Sequence, residues 1–232
     1  MSTQGPLLTG STAEEVFLSI ALIAQDLGFQ FCTHGVRVPI PITRPRTIYV
    51  SNYPPDWQSR YNEQKYMDID PTVAHGMRSS EPVVWSDEFF AKTPQLWQEA
   101  RQHGICHGWA ISRRDAEGAF SMLVLARPEP AITGEELAGK EWHMRQLADM
   151  SHVGMKRFLL NADTVPANPK LSEREVDVLR WTADGKTAGE VAEIIGISER
   201  TVNFHINQAV AKLQASNKIN AAVRAAMSGL LW

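Results

Sequence analysis

This sequence of 232 residues contains few cysteines and few long apolar runs, and neither sign of charge is in large excess. Its two cysteines, Cys32 and Cys106, cannot build the disulfide framework that is typical of small secreted domains. The long apolar run near the start, residues 16–24, is too short to span a bilayer and lacks the flanks of a signal peptide. A net charge of −3, from 23 basic and 26 acidic residues, argues against a protein that coats nucleic acid nonspecifically. We therefore expect a cytoplasmic protein that makes no membrane contact.

What the sequence does contain is a pair of amphipathic segments over residues 187–213, TAGEVAEIIGISERTVNFHINQAVAKL. Thr187 and Glu190 have the spacing of a capping box, and apolar residues follow with helical periodicity. Gly196 tolerates a positive φ and Ser198 is a good N-cap, so a short turn and a second helix are predicted. This pattern is typical of a helix-turn-helix motif, whose second helix lies in the major groove of DNA. An ordinary helical hairpin has the same spacing and remains the alternative.

Flanking segments extend this pair to an all-α module of four helices. Ser172 and Glu175 form another capping box, and Gly185 can end the helix that they begin. The outward side of the second motif helix is polar and nearly free of acid, and it comprises Arg200, Asn203, Phe204, Asn207 and Ala211. The last helix is predicted to have one apolar side, formed by Ile219, Ala222, Val223, Ala226 and Leu230.

Small residues on that last helix also predict a contact between two copies of the chain. The residues expected to allow this close approach are Ala221, Ala222, Ala225 and Ala226, together with Val223 and Leu230. Residues 170–232 carry eight basic and seven acidic side chains, so one module alone has little positive charge for tight DNA binding. A two-fold homodimer on a palindromic DNA site is therefore predicted.

Residues 1–160 show blocks of helices and strands that predict an α+β domain. Strands are expected over residues 29–38, 47–51, 82–85, 105–112 and 119–126. The last of these is apolar at nearly every position, which predicts a central strand covered on both faces. Thr12 begins a first helix and Thr133 a long last one, so the expected architecture is an α/β/α sandwich around an antiparallel sheet. Residues 161–170 contain two prolines and no apolar periodicity, and they are interpreted as a linker to a second domain over residues 171–232.

Residues 171–231 resemble the LuxR-type DNA-binding domain. They match its pattern LSxRExxVLxW…GK…EIA…ISxxTVxxH…KL…NKxxA nearly throughout, with Val191 and Ala192 where the family often has Ile-Ala. The resemblance implies that Asn203, Phe204 and Asn207 face base edges. It also implies that Arg200, Thr201 and Lys212 contact phosphates.

Residues from about 14 to 160 resemble the autoinducer-binding domain of LuxR-type quorum-sensing regulators. The resemblance rests on Trp57, Tyr61, Asp70, Pro71, Trp85 and Gly108 at the family's relative spacing, and GVRVPIPITRPRT and RSSEPVVWSD are similar to receptors of the Rhl type. It implies a homodimeric transcription factor that binds an N-acyl-homoserine lactone and regulates promoters at inverted repeats. RNA polymerase is a further candidate partner, and no cofactor or metal is implied.

The resemblance also assigns roles to individual residues in the ligand site. Trp57 would donate its indole N–H to the lactone carbonyl, Asp70 would accept the amide N–H and Tyr53 would donate to the amide carbonyl. Trp85 and Tyr61 would wall the ring and the chain. The sequence departs from the family at Ser112, where a proline is usual and a loop is expected to be affected, and at Val124, where a hydroxyl side chain near the amide is frequent.

These residues also have purely structural interpretations, and the chain could belong to another class of protein. Asp70 before Pro71 is often only a helix N-cap, and aromatic residues are more often core than ligand box. A response regulator would need a phospho-acceptor aspartate in a βα-repeating domain, and an enzyme would need a nucleophile with a base, or a metal cluster. The sequence contains neither pattern, so no enzymatic activity is expected. A LuxR-type regulator that senses a different small molecule, or acts without ligand, is the closest alternative.

Overall fold

A computed structural model describes residues 10–38, 43, 46–114, 120–159 and 170–232. Most of these residues belong to two compact units, an α+β unit that ends at Leu159 and a helical unit over residues 170–232. The linker predicted over residues 161–170 lies outside the described residues except for Lys170. Within the described part of the chain, no helix is long and apolar enough to cross a membrane.

The N-terminal unit contains five helices and five strands within its described residues. The helices are α1 (Ala13–Asp26), α2 (Pro55–Glu63), α3 (Pro71–Gly76), α4 (Pro94–Gln102) and α5 (Gly134–Leu159), with a 3-10 turn at Tyr66–Asp68. The strands are β1 (Phe31–Val38), β2 (Arg46–Ser51), β3 (Val83–Val84), β4 (His107–Arg114) and β5 (Phe120–Arg127). All five predicted strands are therefore present, with ends that differ from the predicted ones by at most two residues.

The five strands form one sheet in the order β2-β1-β5-β4-β3, so the apolar strand β5 is central, as predicted. The pairs β1/β5, β4/β5 and β3/β4 are antiparallel. On one face of the sheet, Thr33, Gly35 and Arg37 of β1 lie opposite Val124, Met122 and Phe120 of β5. Because side chains alternate between the two faces, these three rungs share one surface.

Helices cover both faces, as the sandwich prediction requires. The helix α5 packs on α1 and on the sheet, where Ser121 Oγ of β5 lies 2.6 Å from Nδ1 of His152. On the other face, Trp57 of α2 and Trp97 of α4 share a buried apolar cluster with Phe31 and Ala126 of the sheet. The sheet therefore separates a tightly packed layer from a layer rich in aromatic side chains.

The helix starts in this unit were predicted from capping residues. The hydroxyl of Thr12 accepts a hydrogen bond from the Glu15 backbone N–H at 3.2 Å, and that of Thr133 accepts one from Glu136 N–H at 3.1 Å. Ser112 departs from expectation, because it lies inside β4 rather than affecting a loop. Its buried hydroxyl donates to the Ser79 carbonyl at 2.7 Å, which satisfies it.

The C-terminal unit is the predicted four-helix module, with α6 (Glu173–Ala183), α7 (Ala188–Ile195), α8 (Glu199–Lys212) and α9 (Lys218–Met227). Both predicted capping boxes form, at Ser172 with Glu175 and at Thr187 with Glu190. Gly196 ends α7 with φ 69°, a backbone conformation that residues other than glycine rarely adopt. The hydroxyl of Ser198 then accepts the Thr201 N–H at 3.1 Å and begins α8.

The predicted role of α9 was wrong for its alanines. Ala221, Ala222 and Ala225 are at most 4% exposed and pack with Leu179 of α6 and Ala209 of α8 in the unit's own core. They therefore offer no surface to a second copy. Ile219, predicted to lie on the buried side, is 67% exposed instead. The small side chains permit close packing of α9 within one module. These three alanines are therefore buried inside the module and are not available for the predicted contact between two copies.

Candidate ligand-binding and DNA-binding sites

The N-terminal unit contains a cavity of about 120 Å³ between the sheet and helices α2, α3 and α4. All of the residues that were predicted to bind ligand line it: Tyr53, Trp57, Tyr61, Asp70 and Trp85. The helix α2 contributes Trp57 and Tyr61 from one side, while Asp70 comes from the residue before α3. Residues from four separate parts of the sequence thus converge on one space.

Asp70 occupies the polar part of this cavity. Its Oδ1 accepts the Thr72 backbone N–H at 2.7 Å, which caps α3, and its Oδ2 accepts the Tyr61 hydroxyl at 2.9 Å. Burial raises the pKa of Asp70 above its ordinary value, although the hydrogen bonds from Thr72 and Tyr61 counteract this rise. Asp70 is therefore an N-cap, as the purely structural interpretation predicts. Its carboxylate has further lone pairs that can accept a ligand N–H.

Two tyrosines share the surroundings of Asp70. Burial raises the pKa of both Tyr53 and Tyr61, and the negative charge of Asp70 raises each of them further. Both phenols therefore keep their protons at neutral pH and can donate hydrogen bonds. Tyr61 was predicted to be only a wall of the cavity, yet its hydroxyl orients the Asp70 carboxylate.

Next to this polar part lies a box of aromatic rings. Phe90 and Trp97 are stacked with ring centroids 4.5 Å apart, and Trp85 meets each of them edge to face at 5.6 and 6.1 Å. Trp97 is fixed by its indole N–H, which donates to Asp87 Oδ1 at 2.6 Å. Phe90 and Trp97 were not predicted as site residues, because only the fold brings Phe90 and the α4 residue Trp97 beside Trp85.

Gly108 of β4 makes room for one wall of this box. A Cβ atom added at residue 108 would lie 2.2 to 2.6 Å from ring atoms of Trp85, far inside van der Waals contact. The Trp85 backbone N–H also donates to the Gly108 carbonyl at 2.9 Å. The close approach of the Trp85 ring thus explains why a glycine occupies position 108, on the strand next to Trp85.

A salt bridge joins the two helices that carry much of the cavity wall. Arg60 of α2 donates to both oxygens of Glu99 of α4, at 2.7 and 2.8 Å. These hydrogen bonds lower the pKa of Glu99 to about 2. The ring of His103, just after α4, also packs on Trp57 with centroids 5.4 Å apart. Trp57 is therefore held by a ring contact as well as by its place in α2.

The rest of the cavity is a mostly apolar channel along the sheet. Its floor is formed by the three rungs of β1 and β5 described above, and Tyr49, Val73 and Met67 contribute to its sides. Val124, where the family often carries a hydroxyl, faces this channel. Thr33 lies opposite it and carries a hydroxyl, which is 2.7 Å from Ser51 Oγ.

The predicted DNA-binding side chains occupy the surface of the C-terminal unit. Arg200, Asn203, Phe204 and Asn207 are all exposed on one side of α8, while Val202, Ile206 and Ala209 are buried on the other. Phe204 is 57% exposed, which is unusual for a large apolar side chain. The hydroxyl of Thr201 is 2.8 Å from that of Ser198 and so takes part in the start of the helix.

Lys212 stands apart from this group. Its ammonium donates to both carboxylate oxygens of Glu175, at 2.8 and 2.7 Å. Glu175 is only 4% exposed, and although burial alone would raise its pKa, the hydrogen bonds from Lys212 and Ser172 bring the pKa below its ordinary value. The structure therefore gives Lys212 a role inside the module, in addition to the phosphate contact that was predicted.

Comparison with protein families now identifies both units. The autoinducer binding domain matches residues 12–158, and the family of bacterial regulatory proteins of the luxR type matches residues 169–225. The chain belongs to the LuxR family. It is an autoinducer-binding transcriptional regulator with a helix-turn-helix domain. Because the members of this family are transcription regulators and not enzymes, the expectation of no enzymatic activity is confirmed.

Individual relatives match nearly the whole chain. The transcriptional activator protein AnoR of Acinetobacter nosocomialis is 43% identical over 221 residues, which cover 94% of this chain and 92% of that protein. The regulator RhlR of Pseudomonas aeruginosa is 40% identical over 220 residues, covering 94% and 90% respectively. A structure of SdiA in complex with octanoyl-rac-glycerol has a TM-score of 0.79 at 35% identity and covers 96% of this chain and 91% of that one. The α+β domain and the helical domain are thus both confirmed.

Proposed function

We propose that the ligand of this regulator is an N-acyl-homoserine lactone, bound in the cavity of the N-terminal unit. The observation that carries this proposal is the position of Asp70, whose carboxylate lines the same cavity as the aromatic box and the apolar channel. A molecule with a compact ring, an amide and an oily chain has a group that suits each of these three parts.

Each polar group of the ligand has a counterpart in the cavity. The amide N–H would donate to Asp70, the amide carbonyl would accept from Tyr53 and the lactone carbonyl would accept from the indole of Trp57. Leaving a buried polar group of this kind unpaired costs on the order of 1–3 kcal/mol, so these contacts determine which ligand binds. The rings of Trp85 and Tyr61 would pack against the lactone and the start of the chain.

A second class of ligand is suggested by the similar structure of SdiA, which holds octanoyl-rac-glycerol. That molecule is an ester and has no amide N–H, although its glycerol hydroxyls are donors. Asp70 could accept a hydroxyl in place of the amide. The two ligand classes therefore differ in what they offer to Asp70, and a direct comparison separates them.

The readout of ligand binding would be DNA recognition by α8. Asn203 and Asn207 suit bidentate hydrogen bonds with adenine, and Phe204 suits contact with a thymine methyl group. Arg200, Thr201 and Lys212 would contact phosphates and position the helix without reading sequence. Because one module carries little net positive charge, we propose a homodimer that binds an inverted repeat in the cytoplasm, where RNA polymerase is an available partner.

A thermal-shift panel tests the ligand assignment. Purified protein would be heated with acyl-homoserine lactones of several chain lengths, with octanoyl-rac-glycerol and with free fatty acids. A ligand that binds only the folded state raises the unfolding temperature in proportion to RT ln(1 + [L]/Kd). We expect the largest rise with a lactone. A larger rise with the glycerol ester would favour the second class, and no rise with any lactone would contradict the proposal.

Sedimentation and DNA binding test the remaining parts. With the best ligand present, we expect a dimer at micromolar concentration and tighter binding to an inverted repeat than to a single half-site. A monomer that binds both duplexes equally well would count against the homodimer.

A further inference from the structure

The end of the cavity farthest from the aromatic box is formed by an arginine. Along β1 the side chains that line the cavity are Thr33, then Gly35, then Arg37, and each lies opposite an apolar residue of β5. Thr33 Oγ1 lies 2.7 Å from Ser51 Oγ, which accepts the Tyr53 backbone N–H at 3.1 Å, so the polar part of the cavity lies at the first rung. Arg37 and Phe120 form the last rung.

Arg37 has no acidic partner among the described residues. Its Nη1 lies 3.4 Å from the sulfur of Met77, which is only a weak acceptor. Arg114 also reaches this end, where its Nη2 donates to the Met77 carbonyl at 2.5 Å and its guanidinium lies over the Phe120 ring, 5.2 Å from the centroid. The far end of an otherwise apolar channel is thus marked by positive charge that no carboxylate of the described chain neutralises.

The middle rung, Gly35 opposite Met122, leaves the channel open toward the positive charge at its far end. Gly35 has no side chain, and a Cβ atom added there would make only ordinary contact, 3.6 Å from Cβ of Tyr49. Arg37 comes four positions after Thr33 in β1, so the channel between them is about 13 Å long at the usual rise of a strand. An extended hydrocarbon chain gains about 1.25 Å per carbon from its bond lengths and angles, so roughly ten carbons cover this distance.

We propose that Arg37 is a specificity-determining residue that sets the upper limit of acyl-chain length in this cavity. This inference rests on the proposed lactone ligand. A saturated chain that stops before Arg37 leaves its guanidinium hydrated, whereas a longer chain displaces that water and offers no acceptor in return. Removing a charged group from water without a new partner is unfavourable. The penalty therefore begins where the chain reaches the last rung.

The test compares a short and a long ligand in matched variants. Calorimetric titration would give Kd for butanoyl- and dodecanoyl-homoserine lactone, and the ratio of the long to the short value is the readout. Arg37→Met keeps an unbranched stem and removes the charge, while Arg37→Lys keeps the charge. Arg78→Met is the control, because Arg78 is exposed near Met77 but does not line the cavity.

We expect the ratio to fall at least about tenfold in Arg37→Met, from the loss of one desolvation penalty, and to stay at the wild-type value in Arg37→Lys and Arg78→Met. An unchanged ratio in Arg37→Met would overturn the inference. An equal fall in Arg37→Lys would also overturn it, because shape rather than charge would then set the limit. If the wild-type chain bound neither lactone, the proposed function itself would fail, which is a different result from normal binding with an unshifted ratio.

Discussion

The two candidate sites of this chain hold their polar side chains in opposite surroundings. Asp70 and Tyr61 lie in a cavity and bind each other at 2.9 Å, whereas Asn203 and Asn207 are exposed on α8. In the cavity, a polar group that loses its partner remains desolvated, so one substitution alters the free protein as well as the complex. On the exposed helix, water solvates the free side chain, so a substitution acts almost entirely in the complex with DNA.

The largest effect is expected at Gly108, where the cavity has no spare room. Gly108→Ala places a methyl group 2.2 to 2.6 Å from atoms of the Trp85 ring, so the ring must move and its contacts in the aromatic box are disturbed. Overpacking of this kind costs about 1–3 kcal/mol of stability, and ligand affinity should fall with it. Thermal unfolding and ligand titration of the variant measure the two losses.

Gly139 supplies a matched control in the same unit. It lies in α5, and an added Cβ atom meets nothing within 4 Å. Gly139→Ala should be neutral or slightly stabilising, because alanine favours a helix. If Gly108→Ala behaved like Gly139→Ala, the close fit between Gly108 and Trp85 would not be a requirement for binding.

A more selective effect, on DNA binding alone, is expected at the DNA surface. Asn203→Ala should weaken binding to the specific operator by about 1–3 kcal/mol while leaving the unfolding temperature unchanged. Binding to operator and scrambled duplexes at one salt concentration measures this. Equal losses on both duplexes would remove Asn203 from base reading, and Asn207→Ala provides an independent second measurement.

Lys212 is predicted to differ from the exposed residues of its helix. Lys212→Ala leaves the buried Glu175 carboxylate without its cation, which should lower the stability of the C-terminal unit by about 1–2 kcal/mol after allowance for the partial exposure of the lysine. Thermal unfolding of the full chain checks this. Lys218→Ala, at the exposed start of α9, is the control. Equal unfolding temperatures for the two variants would show that the ion pair contributes nothing measurable.

The smallest expected effect is a dependence of ligand affinity on pH. Burial raises the pKa of Asp70, and a ligand N–H favours the ionised carboxylate. Affinity should therefore be full above the raised pKa and decline as the pH falls through it, beginning at a higher pH than an exposed aspartate would give. Titrations over a pH series check this, and the decline should be absent in Asp70→Asn. A decline that persists in that variant would assign it to another group.

Local signals made much of this fold predictable. Capping residues fix where helices begin through hydrogen bonds to neighbours three residues away, so Thr12, Thr133, Ser172 and Thr187 could be identified from sequence. The apolar run of β5 likewise predicted a central strand. The ligand residues, however, were assigned by resemblance, because nothing local distinguishes a tryptophan that lines a cavity from one in a core.

Tertiary packing decided the features that were missed. The box formed by Phe90 and Trp97 depends on α4 meeting the sheet, and Arg37 becomes a cavity residue only through its register with Phe120. The error at α9 has a related cause: its apolarity predicts that Ile219 is a core residue, whereas single exposed apolar residues are common. Small alanines instead occupy the close contact with α6.

The most direct test of the central claim, that Asp70 binds the ligand amide, is a calorimetric titration of Asp70→Asn with the best lactone. Asparagine caps a helix about as well as aspartate, so α3 should persist, and circular dichroism would verify this. Loss of the charge-assisted hydrogen bond, about 1.5–3 kcal/mol, should weaken binding roughly ten- to hundredfold. Asp68→Asn, at an exposed position two residues earlier, should bind like the wild type. Affinity in Asp70→Asn equal to that of Asp68→Asn would contradict the account and leave Asp70 as a helix cap alone.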